Sequence, residues 1–408
     1  MAETITTRCC IAGGGPAGMM LGFLLARAGV DVLVLEKHRD FLRDFRGDTI
    51  HPSTLELIHE LGLLPELLAL PHQKLQRIQA IFGSSALTIA EFDQLPTQCG
   101  YIAFMPQWDF LDFLARHGSA YPGFTLRMGC EATDLVESDG VVTGLRAKSA
   151  DSEIEVRAAL TVAADGRSST LRAQSGLAVQ DFGAPMDVLW FRVARSPGAP
   201  DQPLGRFGSG FILIAIDRGG YWQCGYVIPK GAQERVRAQG FEAFRSRIAR
   251  HAPALTDGLQ KLSGWGDVKL LTVQVNRLDT WCRPGFLCIG DAAHAMSPVA
   301  GVGINLAVQD AVAAANLLAA PLTEGSIDLE DLGFVERRRK WPTKVTQRLQ
   351  LMIQNRVISE VLGETDEAKP PLIMRLFDAV PPLRRIPGRL IGVGVRPEHI
   401  ETPDVGRS

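Results

Sequence analysis

The sequence has almost no net charge and no long uninterrupted apolar run, and each shortage removes a class of function. Forty-three Lys and Arg stand against 45 Asp and Glu, a formal charge of −2. No overall field draws the chain to nucleic acid or to an anionic membrane, so a small molecule is the expected partner. The most apolar stretch, Gly301 to Leu322, is interrupted by Asn305, Gln309, Asp310 and Asn316, which makes it too polar to span a bilayer unaided. The seven cysteines, at 9, 10, 99, 130, 224, 282 and 288, show no short paired spacing of the zinc or dithiol kind. Cys9, Cys10 and Cys288 lie in apolar strand patterns, where a thiol packs as a small hydrophobe, and a reducing cytoplasm is expected. No Ser/His/Asp constellation, metal cluster, internal repeat or long linker is apparent. No signal peptide is expected either, because the apolar run before Gly13 is already needed as a strand.

Glycine, by contrast, is abundant, with 41 residues in a chain of 408. That length implies one large domain with a smaller one, or an elaborated single domain. Thr7 to Ala12 reads as a strand, Gly13 to Gly18 as a tight turn, Ala17 to Ala28 as a helix stopped by Gly29, and Asp31 to Leu35 as a buried strand: a βαβ unit. Gly13, Gly15 and Gly18 have the spacing that lets the chain turn, approach a pyrophosphate closely and pack helix on strand. The phosphates would sit at the positive end of that helix. Glu36, 18 residues after Gly18, can accept bonds from both hydroxyls of an adenosine ribose.

A second strand, glycine turn and helix follow far downstream. Gly285 to Ile289 reads as a buried strand leading into Gly290-Asp291-Ala292-Ala293-His294, then Pro298, Gly301, Gly303 and Asn305. Two such turns so far apart point to one long cofactor gripped by distant parts of a fold, and FAD is the best candidate. Between them, Pro52 to Leu63 reads as a helix ended by Gly62, Gln76 to Thr97 as short strands, and Phe110 to Ala120 as a helix. Thr125 to Met128, Asp139 to Ala147 and Glu153 to Ala158 read as a small meander, and Leu160 to Ala164 as a separate buried strand. Pro185 to Pro229 alternates as a second sheet, Phe241 to Ala252 reads as a helix and Lys269 to Leu278 as a strand. Beyond Gly325 the chain is mostly helical. The basic run Arg337-Arg338-Arg339-Lys340 is read as a solvated helix face, and no membrane contact is expected.

With Ala164-Asp165-Gly166-Arg167-Ser168-Ser169-Thr170-Leu171-Arg172 between the two glycine turns, the sequence resembles the group A flavoprotein monooxygenases of the para-hydroxybenzoate hydroxylase fold over nearly its whole length. One departure is Ala163, where the middle motif usually has glycine. The resemblance implies an α/β fold: a Rossmann-like FAD-binding domain with a parallel sheet, a smaller β-sheet substrate domain and C-terminal helices. The expected division is 1–75, 98–180 and 270–330 for FAD, 76–97 and 181–269 for substrate, and 331–408 for a helical C-terminal segment.

The resemblance also carries cofactor contacts to Gly13, Gly14, Gly15, Ala17, Gly18, Glu36, Lys37, Arg46, Gln107, Asp165, Asp291, Pro298, Gly301, Gly303, Ile304 and Asn305. Asp291 would meet the ribityl chain, Arg46 the pyrophosphate, and Pro298 the reacting edge of the flavin. The helix starting near Gly303 would aim N–H groups at the flavin pyrimidine. Asp165 would serve both FAD and a passing NAD(P)H. The implied reaction is hydroxylation of a phenolic or electron-rich aromatic, a polyketide among the options, through a flavin C4a-hydroperoxide, with NAD(P)H and O2 consumed. No side chain is assigned as catalytic, and His294 is read as supporting its loop. Trp190, Arg192, Phe207, Phe211, Tyr221, Trp222 and Gln223 are available to line the substrate cavity, although half of an alternating strand points away. The sequence leaves the oligomeric state open, with a homodimer as one option. The alternatives are a flavin-dependent halogenase, opposed by the lack of a second tryptophan in Trp222-Gln223-Cys224; an isoprenoid reductase; a redox-inert FAD-binding protein; and a plain NAD-dependent dehydrogenase, which would not need the Asp291 loop.

Overall fold

The computed structural model describes residues 3–42, 49–150, 152–195, 204–208, 210–363 and 370–406. The expected α/β architecture is present: a parallel sheet, a second, largely antiparallel sheet, and C-terminal helices. In the first sheet Phe124–Met128, Val32–Glu36, Glu3–Ala12, Glu153–Ala163 and Phe286–Cys288 lie side by side and parallel, with Cys282–Arg283 antiparallel at the edge. Their central residues are apolar and covered on both faces, as a parallel sheet requires.

Two features of this sheet differ from the meander read in the sequence. Phe124–Met128 is an edge strand parallel to Val32–Glu36. Glu153–Ala158 and Leu160–Ala163 form one continuous strand. Its burial alternates over the first half and is continuous over the second, because the first half pairs outward with the exposed ribbon Val141–Lys148 and Glu131–Ser138, and the second with Phe286–Cys288. A change of neighbour within one strand reads, in sequence, as two strands. Lys269 to Leu278 also divides: Lys269–Leu271 joins the second sheet, whereas Asn276–Leu278 pairs with Val179–Asp181, the chain crossing between sheets in the intervening residues.

The second sheet runs Lys269–Leu271, Met186–Ala194, Tyr221–Pro229, Phe211–Asp217, Leu204–Gly208, Arg77–Phe82 and Ser85–Glu91. One face, with Leu189, Phe191, Phe211, Trp222 and Tyr226, packs on Phe241–His251 and its neighbours. The opposite face, with Val188, Trp190, Phe207, Ile212 and Val227, packs on Val299, Ile358, Val361 and Leu362. The lining residues suggested by sequence are therefore divided: Phe211 and Trp222 belong to the far core, while Trp190 and Phe207 face the late glycine turn.

Among the described residues one helical stretch, Val299–Glu324, is long and apolar enough to cross a membrane, and 78% of its apolar window is buried within the fold. All seven cysteines are free and buried. Burial raises the thiols of Cys9, Cys10, Cys224 and Cys288, and moves Cys282 up to about 11, which leaves them protonated packing groups.

Candidate functional site

The first glycine turn follows the strand Glu3–Ala12 and opens the helix Pro16–Arg27. Gly13 has φ 109°, and a Cβ there would lie 2.3 Å from the Ala164 carbonyl oxygen. A Cβ on Gly18 would lie 1.9 Å from the Gly13 carbonyl oxygen, so only glycine lets helix and strand approach this closely. Gly15, the N-cap, has nothing within 4 Å of where its Cβ would be, and the helix that follows begins without a side-chain cap or an acidic residue. Its first N–H groups are left to an incoming anion. Pro16 at the first helical position costs nothing there, because its missing N–H is one the helix would not use.

Glu36 closes the neighbouring strand and turns its carboxylate into this turn. Oε2 accepts from Gly14 N–H at 2.9 Å and Oε1 from His38 N–H at 3.0 Å. A carboxylate oxygen can accept more than one hydrogen bond, as recognition of sugar hydroxyls requires. Lys37 next to it is exposed.

The second turn follows Phe286–Cys288. Gly290 has φ 59°, and a Cβ on it would lie 3.1 Å from Ala17 Cβ and 3.3 Å from Ala307 Cβ. The two glycine turns, distant in sequence, are thus in contact, and the helices Pro16–Arg27 and Gly303–Glu324 pack together. Gly303–Glu324 also starts with no side-chain cap and no acid in its first turn. Within the turn Ala300 is held at φ 62°, a left-handed conformation unusual for a residue with a Cβ. The Gly301 carbonyl oxygen accepts from the Thr49 hydroxyl at 2.8 Å. Pro298, Gly301 and Gly303 are half-buried, while Ile304 and Asn305 are buried. Asn305 Oδ1 accepts from His51 N–H at 3.0 Å and from the Thr54 hydroxyl at 2.6 Å, which ties this turn to the helix Pro52–Glu60.

The middle motif lies between the two turns. Asp165 Cα is 2.8 Å from where a Gly13 Cβ would be. Its Oδ2 accepts from Thr170 N–H at 3.0 Å, and its Oδ1 is buried without a partner among the described residues. Burial raises this carboxyl above its ordinary range. Arg167 reaches Asp291 at 3.4 Å, and Arg172 bridges the Ala292 and Arg167 carbonyls at 3.1 and 2.6 Å. Asp291 is half-exposed. Gln107 opens the helix Gln107–Gly118 and is half-buried; Arg46 lies outside the described residues.

His294 belongs to a buried ionic chain. Its Nε2 lies 2.5 Å from Asp310 Oδ2, which also accepts from Gly290 N–H at 3.1 Å. Arg339 Nε donates to Asp310 Oδ1 at 3.0 Å and Arg339 Nη1 to Glu398 at 3.1 Å. Burial pushes the Asp310 carboxyl up, but His294 and Arg339 outweigh it, and the group is held below its usual value. The chain holds Gly290 through its N–H. It also corrects the reading of Arg337 to Lys340 as a solvated face: Arg339 is 1% exposed, Arg338 pairs with Glu398 at 2.9 Å and Lys340 with Glu336 at 2.6 Å. Asp310 and Glu398, 29 and 59 positions away, supply the charge that makes burial of Arg339 tolerable, and no local pattern announces them. Sequence reasoning also missed Gln347, Gln350 and Gln354, which bond the segment around Pro298, the first two through backbone carbonyls and Gln354 through the Ser297 hydroxyl; their i, i+3, i+7 spacing was the available signal.

On the face of the second sheet that packs on Val299, Trp190 stands opposite Gly225 and Arg192 opposite Gln223. A Cβ on Gly225 would come 3.2 Å from the Trp190 ring, so the missing side chain makes room for the indole. Phe207 stacks on Phe82 with centroids 5.0 Å apart, and Arg192 lies over Tyr221 at 5.0 Å.

The sequence profile of the family described as FAD binding domain matches residues 6–349. The chain is 30% identical to 6-methylpretetramide 4-monooxygenase of Streptomyces rimosus over 391 residues, 95% of this chain and 93% of that one. It is 29% identical to rifampicin monooxygenase of Streptomyces venezuelae, over 74% of this chain but only 61% of that longer protein. The fold is also that of p-nitrophenol 4-monooxygenase from Pseudomonas putida, with a TM-score of 0.77 at 20% identity, covering 96% of this chain and all of the other.

Proposed function

The chain belongs to the FAD-dependent monooxygenases of the para-hydroxybenzoate hydroxylase fold, and we propose that it hydroxylates a phenolic or other electron-rich aromatic at the expense of NAD(P)H and O2, with polyketide phenols inside that class. The observation that carries this reading is the contact of Ala17 with Gly290, which sets two uncapped helix starts beside one another. One start suits a pyrophosphate and the other the negative charge that a flavin pyrimidine would take up on reduction. FAD bound there would supply the electrons that activate O2 for delivery of one oxygen atom to the aromatic ring.

The protein's part is to hold and enclose. Gly13, Gly14, Gly15, Ala17 and Gly18 leave the pyrophosphate access to backbone N–H groups, and Glu36, pre-oriented by Gly14 and His38, receives the ribose. Asp291, oriented by Arg167, is assigned to the ribityl hydroxyls, with Lys37, Arg46, Gln107 and Asp165 as further cofactor contacts. Gly303, Ile304 and Asn305 begin the helix directed at the pyrimidine, and Pro298 borders the reacting edge. The apolar sheet face with Trp190 and Phe207 receives the aromatic ring and excludes water. NAD(P)H is taken as an external, transient partner near Asp165.

A halogenase reading is weaker, since Trp222, the one tryptophan of Trp222-Gln223-Cys224, is fully buried on the far side of the sheet. The test is to purify the protein, record its visible spectrum, and screen aromatics from 4-nitrophenol to 1,8-dihydroxyanthraquinone for stimulated NAD(P)H consumption with label from isotopic O2 in the product. A yellow protein whose flavin NAD(P)H cannot reduce under any of these conditions would instead mark a redox-inert binder.

A further inference from the structure

The helix Leu329–Ile353 continues into a turn of π-helix, Gln354–Ile358, and places Gln347, Gln350 and Gln354 along one face. All three are buried, and buried carboxamides must find partners. They find them in the irregular segment 295–299. Gln347 Nε2 donates to the carbonyls of Asn276 (2.8 Å) and Ala295 (3.1 Å). Gln350 Oε1 accepts from Ser297 N–H at 3.3 Å, and its Nε2 donates to the carbonyls of Ser297 and Val299, both at 3.0 Å. Gln354 donates to the Ser297 hydroxyl, whose oxygen also accepts from Val299 N–H. On the other side the segment is paired with Asn276–Leu278, through Asn276 N–H to the Ala295 carbonyl at 3.2 Å and Leu278 N–H to the Ala293 carbonyl at 2.8 Å. The glutamine stripe therefore stands where a neighbouring strand would.

Pro298 has no N–H of its own, so its position is set through Ser297 and Val299. Gln350 holds both. Val299 then packs against the sheet face that carries Trp190 and Phe207, alongside Ile358, Val361 and Leu362 from the continuation of the same helix. One helix thus grips the late glycine turn and walls the apolar face, and the π-helical turn, a feature common at functional sites, carries Gln354 for the first task and Ile358 for the second.

We propose that Gln350, backed by Gln354, is a positioning residue for oxygen transfer: it fixes the distance between the Pro298 turn and the substrate face, and so sets how much O2 reaches substrate. This role rests on the monooxygenase reading above. In the coupled reaction two electrons from NAD(P)H and two from the aromatic C–H reduce O2 to the new hydroxyl and one water. In the uncoupled reaction the two electrons from NAD(P)H alone, with two protons, reduce O2 to hydrogen peroxide. A misplacement of about 1 Å in such a site costs up to roughly 100-fold in productive chemistry.

The experiment compares Gln350→Met and Gln354→Met with Gln347→Met, all as FAD-bound enzymes, using the best substrate of the panel. Gln347 lies one step further from Pro298 and serves as the matched loss of a buried amide. The expected result is a fall of roughly 10- to 100-fold in product per NAD(P)H consumed for Gln350→Met, with hydrogen peroxide rising to match and NAD(P)H oxidation within a few-fold of wild type. Gln347→Met should lose comparable thermal stability but keep its coupling. Backbone amide exchange at Ser297 and Val299 should accelerate in the Gln350 and Gln354 variants and not in Gln347→Met, a readout independent of turnover. Unchanged exchange in Gln350→Met, or equal uncoupling in the Gln347 and Gln350 variants, would overturn the role alone. A wild type that oxygenates nothing in the panel would overturn the reaction assignment and this role together.

Discussion

Gly290 sits so close to Ala17 that a methyl group placed on it would come within 3.1 Å of the Ala17 methyl. That one proximity joins the beginning of the chain to a turn more than two-thirds of the way along it, and both sides of the joint are built for it: Gly290 is left-handed, and its N–H is held by Asp310.

Replacing Gly290 by Val should therefore push the two helix starts apart as well as strain the backbone. A loss of about 2 kcal/mol in stability is expected from the left-handed conformation and the crowding, together with loss of bound flavin on gel filtration. Full flavin content and an unchanged melting temperature in G290V would sink the idea that the two turns form a single site.

Glu36→Gln keeps the shape of the side chain but removes the charge that Gly14 and His38 orient. Bonds to charged groups are worth about 1.5–3 kcal/mol, so FAD affinity should weaken by at least about tenfold, measured by fluorescence titration of the deflavinated protein. A Kd equal to that of wild type would mean the carboxylate serves the turn and not the cofactor.

His51 gives the native state a pH dependence. It is fully buried, and desolvation lowers its pKa from 6.5 to about 4 against a smaller opposing effect of the Ile391 carbonyl. The unfolded chain takes up a proton below about 6.5 and the folded one does not, so stability is full above that value and falls as pH drops toward 4. Between pH 7 and pH 5 the loss should be about 2 kcal/mol. Urea unfolding at the two pH values reads it directly, and His51→Asn should lose most of the difference; an undiminished slope in H51N would assign it to other groups.

Gly225→Val would drive a side chain into the space occupied by the Trp190 ring. If that ring helps to form the aromatic pocket, KM for the best phenol should rise by roughly tenfold or more, the scale on which small volume changes alter hydrophobic recognition, while FAD affinity stays unchanged. A parallel loss of flavin would show instead that the second sheet is needed for the whole fold.

The parts of this molecule that were legible in the sequence are those whose physics is local. Gly13, Gly15 and Gly18 declare a turn because no other residue fits, and the apolar runs on either side declare buried parallel strands. What stayed hidden depends on neighbours distant in sequence. Glu153–Ala163 changes its pattern midway because its outer neighbour changes. Arg339 reads as a surface residue until Asp310 and Glu398 arrive to neutralise it. The glutamines at 347, 350 and 354 look like an ordinary polar stripe, and only the irregular backbone opposite them shows why they are buried. The faces of the second sheet were ambiguous for the same reason: alternation separates Trp190 from Phe191 but does not say which side meets the helices.

The late arrival of Phe286–Cys288 beside Glu153–Ala163 also has a meaning for biosynthesis. During translation the loop that begins with Gly13 emerges early, yet the surface it must meet is still unmade, and at about 5–20 residues per second the wait is of the order of ten seconds to a minute. Throughout that interval a nascent polypeptide can offer the nucleotide only half a grip. Ribosome-bound intermediates ending before Cys282 should be unable to retain the vitamin-derived cofactor, so its capture waits until the second turn has been made.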